Sequence, residues 1–191
     1  MSCDVRASKL KMAAMKPLLF VVALALAAPA AFAADLPDPI APAMRGQLQC
    51  YMPDTARKTC ASLAGYRANP AGGIDNATTV LLSKSPVVTM ETISPIEIKM
   101  GQVCGKIRRQ DLDSATFTMA GRPFEAQQAA PIRAQLQTAF QNIFDHEICT
   151  AYTNQGAAML AKATIDGVPT PPAADQQVLW VSPADGYTVS P

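Results

Sequence analysis

One histidine, five cysteines and 15 carboxylates are the side chains of this 191-residue chain best suited to acid–base, thiol or metal chemistry. His146 stands between Asp145 and Glu147. A histidine among carboxylates can serve as general acid or base, so a small exported hydrolase built on His146 is one reading. No G-x-S-x-G elbow marks a partner serine, and the nucleophile would have to come from a distant position. The structural alternative is a polar helix exit, where a histidine interacts favourably with the negative end of the helix dipole. Cys104 precedes Gly105 and Lys106, and a nearby cation can lower a thiol pKa. A redox role through Cys104 and Cys149 would require those sulfurs to cycle between free and bridged forms.

Metal and cofactor chemistry finds little to use. His146 has no second histidine to share a metal, and the cysteines lack C-x-x-C spacing. Asp111-Leu112-Asp113 opens like a calcium loop but lacks its glycine and closing glutamate. Gly72-Gly73 has no following lysine in phosphate-loop register. No cofactor and no metal are therefore expected. Arg108-Arg109 reads as a solvated strand end rather than a basic patch. Trp180 and Tyr187 flank one turn, and such aromatics are enriched at recognition surfaces. A core-facing position is the alternative for Trp180.

The N-terminus has the form of a cleavable secretory signal peptide, residues 1–33. Lys9, Lys11 and Lys16 precede an apolar run over residues 18–28, and Pro29 and Ala31-Phe32-Ala33 follow. The start could equally be Met1, Met12 or Met15. The run is shorter than the roughly 20 residues a membrane-spanning helix needs. No transmembrane segment is expected after cleavage, and the mature chain is expected in the periplasm or secreted. Removing residues 1–33 takes four of the 16 basic and one of the 15 acidic residues, leaving a net charge of −2. That balance gives no electrostatic reason to bind nucleic acid or an anionic membrane.

Export changes the meaning of the cysteines. Cys50, Cys60, Cys104 and Cys149 remain, and an even number in an exported chain reads as a disulfide framework. Three pairings are possible. Cys50–Cys60 with Cys104–Cys149 is favoured, because residues 47–53 and 58–63 look like a hairpin in which 50 and 60 face each other.

The elements that must position these residues are mostly strands. Residues 34–44 hold the Pro-rich leader, expected to be extended and loosely packed. A single domain is expected over residues 45–191. Residues 78–83 are apolar and β-branched, and residues 87–93 and 96–100 alternate with period two. Pro95 between them must sit at a turn, bulge or edge. Residues 147–153 and 157–165 read as a hairpin, and residues 177–181 as a later strand. Helical periodicity is clear once, in Ile132, Leu136, Ala139, Phe140 and Ile143, with Pro131 in the expected first turn. The expected fold is α+β: a mainly antiparallel sheet of short strands, one principal helix over about residues 130–144 packed on it, and two disulfides.

Several signatures occur together: Cys50-Tyr51-Met52-Pro53-Asp54 with Lys58-Thr59-Cys60-Ala61-Ser62-Leu63, Val103-Cys104-Gly105, Glu147-Ile148-Cys149-Thr150 and Val178-Leu179-Trp180-Val181-Ser182-Pro183. The set resembles small uncharacterised exported proteins of Gram-negative, alphaproteobacterial type. The resemblance implies export and cysteine pairing within the domain, and no activity. The leading expectation is a disulfide-stabilised, non-enzymatic domain that binds a protein, an envelope component or a small ligand.

Overall fold

A computed structural model describes residues 38–191. The expected signal peptide and residues 34–37 of the leader lie outside the described residues. A 3-10 turn, Ala41–Arg45, leads into β1 (Leu48–Tyr51), β2 (Thr59–Cys60) and β3 (Ser62–Ala68). The two longest strands follow, β4 (Ile74–Lys84) and β5 (Val87–Lys99). Then come β6 (Gln102–Lys106), α1 (Arg109–Asp113), β7 (Thr116–Met119), β8 (Arg122–Pro123) and the principal helix α2 (Ala126–Ala139). β9 (Glu147–Gln155), β10 (Ala158–Ile165), β11 (Val168–Pro169), β12 (Gln176–Val181) and β13 (Thr188–Val189) complete the chain. Among the described residues no helix is long and apolar enough to cross a membrane.

The fold is mainly antiparallel β with one principal helix and two disulfides, but the sheet does not stay open. Its strands run β4-β3-β1-β12-β10-β9-β6-β5, and β4 pairs with β5 to close an eight-stranded barrel. Closure removes the unpaired edges that an open sheet would present. β5 makes it possible by its length. Ile96 pairs with Ile74 of β4 on one side and Gly105 of β6 on the other. Gly105 suits this junction because a Cβ there would meet Ile96 Cγ2 at 3.1 Å.

β5 also carries β7 on residues 88–91, whereas β6 takes residues 96–99. Residues 92–95 therefore have no strand partner on that side. Pro95 lies in this interval and pairs only with Asp75 of β4, so its missing N–H leaves no ladder bond unmade. The proline that seemed to divide two strands sits inside one, at a local edge.

The helix begins earlier than its apolar stripe suggests. Glu125 and Gln128 form a capping box, and α2 starts at Ala126, placing Pro131 inside the helix rather than in its first turn. It ends at Ala139, and residues 140–145 continue as turns. Phe140 and Phe144 still pack edge-to-face, with centroids 6.5 Å apart, in a core of Met90, Leu112, Ala115, Phe117 and Ala129. α1, absent from the sequence reading, supplies Leu112 to this core. Arg108 and Arg109 are likewise not simply solvated. Arg108 is bonded to the buried Asp111, and the Arg109 guanidinium lies 4.5 Å from the Phe144 ring centroid.

The leader boundary also needs correction. Ile40 is 2% exposed and, with Ala43 and Val103, packs against Tyr66, Ile74, Ile96, Tyr152 and Trp180. Those side chains come from six different barrel strands and meet only in the lumen. The leader's end is thus a plug inside the domain, not a loose approach to it.

Both expected disulfides form, Cys50–Cys60 and Cys104–Cys149. Cys104 and Cys149 face each other on β6 and β9. Cys50 does not face Cys60 in a ladder. It opposes Leu63 of β3, and Cys60 lies on β2, which pairs parallel with β13. The hairpin is tighter than expected, because Asp54 and Thr59 exchange backbone hydrogen bonds.

Candidate functional site

Alternation along a strand places every second side chain inside a barrel. The inward set includes Gln49 and Tyr51 of β1, Tyr66 of β3, Asn76 and Thr78 of β4, Thr92 and Ser94 of β5, and Thr150 and Tyr152 of β9. Register sustains this assignment around the ring: Gln49 opposes Ala64, Ala64 opposes Thr78, and Thr78 opposes Thr92.

A cavity of about 270 Å³ lies within this set. Tyr66, Ile96, Val103 and Tyr152 line it and also belong to the Ile40 plug cluster. Ile107 lines it and also packs against the helical core. The cavity therefore sits between the plug and the helical unit. At about 30 Å³ per water its volume corresponds to roughly nine waters, or a ligand of on the order of ten non-hydrogen atoms.

The walls are unusually rich in hydroxyl groups. Tyr51, Tyr66, Thr78, Thr92, Ser94, Thr150 and Tyr152 contribute one each, and Asn76 an amide. No carboxylate lines the space, and Lys106 is its one charged residue. Lys106 has no ion-pair partner among the described residues. Ser94 donates to Asp111 Oδ2 at 2.9 Å, and Arg108 Nε donates to the same oxygen at 3.0 Å. This link spans the interval where β5 lacks a strand partner, and it neutralises the buried carboxylate.

At the inner end, three phenols converge on Gln49, which is 0% exposed. The Tyr66 hydroxyl donates to Gln49 Oε1 at 2.7 Å, Tyr51 at 3.0 Å and Tyr152 at 3.3 Å. The Tyr51 and Tyr152 oxygens are 2.6 Å apart. Burial pushes the Tyr51 and Tyr66 phenols well above their ordinary pKa, and the neighbouring phenols push them further. The cluster is therefore neutral at any physiological pH. Gln49 Nε2 is buried with no protein partner among the described residues.

The residues singled out by type lie elsewhere. His146 is exposed, and its Nδ1 is hydrogen-bonded to Asp166 Oδ2. Asp166 Oδ1 accepts from the Glu147 N–H at 2.9 Å. The His146 hydrogen bond and then this N–H hold the Asp166 carboxyl below its ordinary pKa. The pair ties the exit from the helical unit to the turn after β10, outside the cavity lining. Cys50, Cys60, Cys104 and Cys149 are all bridged. Trp180 packs in the plug cluster, its ring centroid 6.5 Å from that of Tyr66. Tyr187 packs with the Cys50–Cys60 cluster. Neither is part of an open recognition patch. Among the described residues no three His, Cys, Asp or Glu side chains converge as a metal site.

The sequence reading missed Gln49, the tyrosines and the hydroxyl ring. A signal existed: Asn76-Ala77-Thr78 and Thr92-Ile93-Ser94 each put polar side chains on one strand face. A polar strand face ordinarily reads as solvent-facing. Closure turns that face inward and leaves Ile93 exposed outside.

No protein-family model, curated protein or solved structure matches the chain.

Proposed function

We propose that this is an exported, non-enzymatic binding domain that holds a small molecule in the lumen of its barrel. The observation that carries the reading is the hydroxyl-lined cavity between plug and helical unit. A barrel of eight strands is wide enough to hold one small ligand if its interior is not filled by side chains. Apolar packing alone would have favoured larger apolar residues at Thr78, Thr92, Ser94 and Thr150. Polar side chains there point to a lumen that stays wet or is occupied.

The disulfides and the signal-like N-terminus support a periplasmic or secreted location. The interior position of the cavity favours a small ligand over the protein or envelope partners also considered. The hydrolase reading has less support, because His146 lies outside the cavity lining and its hydrogen-bonding partner is Asp166.

Uptake from a mixture of small metabolites tests the proposal. Trp180, the single tryptophan, abuts the cavity wall through Tyr66 and reports occupancy by its emission. Native mass spectrometry would identify the mass retained. A Thr92→Phe/Thr150→Phe variant that fills the lumen should lose uptake while remaining folded. Uptake unchanged in that variant would move the site elsewhere and refute the reading.

A further inference from the structure

The reading of the lumen as a ligand site leaves the ligand's chemistry open, and Gln49 narrows it. Its amide faces a crowded set of donors. Oε1 has two lone pairs, yet three phenols lie within 3.3 Å of it. With Oε1 towards the phenols, Tyr66 and Tyr51 donate to it and Tyr152 donates to Tyr51. All three phenolic protons are then consumed inside the cluster, and the buried Nε2 has no protein acceptor. An unpaired buried N–H group is the least tolerated kind of polar orphan, and an under-satisfied carbonyl is less so.

A half-turn of the amide reverses this balance. Nε2 then occupies the position from which 2.7 and 3.0 Å lead to the Tyr66 and Tyr51 oxygens, both suitable for N–H···O bonds. Tyr51 can keep its 2.6 Å contact by donating to Tyr152. The Tyr66 and Tyr152 protons are released, and both residues line the cavity. Two hydroxyl donors near one another, with one ammonium and no carboxylate in the wall, match the two oxygens and single charge of a carboxylate.

We propose that the lumen binds a small monocarboxylate through the Tyr66 and Tyr152 hydroxyls and Lys106, and that Gln49 turns its amide to release those hydroxyl protons. The ligand thereby relieves the orphaned amide. Its size is limited to on the order of ten non-hydrogen atoms by the cavity volume of about 270 Å³.

Benzoate and hexanoate are suitable probes, with benzylamine, hexylamine, benzyl alcohol and hexanol as isosteric controls. Titrations of the full mature protein are followed by Trp180 emission and by calorimetry. The two carboxylates are expected to bind and the controls to bind at least about tenfold more weakly, as loss of a charge-assisted hydrogen bond implies. Tyr66→Phe, Tyr152→Phe and Lys106→Gln should each weaken benzoate binding, and Lys106→Arg should restore it. Lys106 is exposed, so its variants test the site without risk to the fold. The Gln49 side-chain NH2 resonances should shift on benzoate saturation as both protons gain acceptors. If amines or alcohols bind as tightly as carboxylates, the carboxylate assignment fails and the lumen reading stands. If no probe of any class alters Trp180 emission or the melting temperature at millimolar concentration, both fail.

Discussion

Substituting Ile40 by alanine tests whether the end of the leader is a structural plug. The side chain is 2% exposed and packs with Ala43 and Val103 among residues from six strands. Ile→Ala removes three carbons, worth about 0.8 kcal/mol each as transfer free energy, so about 2.4 kcal/mol before any cavity term. The cavity left behind adds to this, and buried Ile→Ala changes span about 2–5 kcal/mol. We expect a loss of about 3 kcal/mol, or roughly 6–12 °C in melting temperature for a domain of this size. Urea unfolding at fixed temperature is the assay, with the midpoint lowered and the slope unchanged. Met44→Ala is the control, since Met44 lies in the same turn but is 76% exposed, and it should change stability by less than about 0.5 kcal/mol. If Ile40→Ala behaves like Met44→Ala, the barrel is closed without its plug and the cavity's inner boundary has been placed wrongly.

Other consequences are equally direct. The Tyr51 and Tyr66 phenols ionise later in the folded protein than in the unfolded chain, so their stabilisation is complete below about pH 10 and is lost as pH rises above that value. Urea midpoints above about pH 10 should fall by about 1.4 kcal/mol per pH unit per tyrosine, and a Tyr51→Phe/Tyr66→Phe variant should flatten that decline. Loop lengths predict that removing Cys50–Cys60 costs about 3 kcal/mol and removing Cys104–Cys149 about 4 kcal/mol, measurable by denaturation of the paired alanine variants. His146→Ala should leave ligand uptake unchanged. It should also raise the Asp166 titration midpoint towards its ordinary value, followed by carboxyl chemical shift; a loss of uptake would return His146 to the functional site.

Much of the local architecture was legible because it rests on neighbours in sequence. The β9–β10 hairpin shows in two alternating runs around a glycine turn, and residues 147–155 pair with 158–165 in that way. Even cysteine number and export logic point to two bridges, and opposed positions on β6 and β9 hold one of them. The helix was visible from its stripe, but its start was not, because a capping box at Glu125 and Gln128 outweighed the preference of Pro131 for a first turn. The leader misled for a related reason: proline-rich composition speaks against regular structure, whereas the burial of Ile40 depends on a lumen that composition does not reveal.

The site itself required the tertiary fold. Gln49 and Tyr152 are 103 residues apart in the chain, and their contact exists only because eight registers close a ring. Alternation in a sequence tells which residues share a face, but not whether that face meets solvent or a lumen. That choice is made when Ile96 pairs on both sides, with Ile74 and with Gly105. The sequence by itself determined strand periodicity, the disulfide count and the absence of recognisable catalytic motifs. Closure alone decided that the polar faces of β4 and β5 look inward, because inside and outside are properties of the ring and not of any strand.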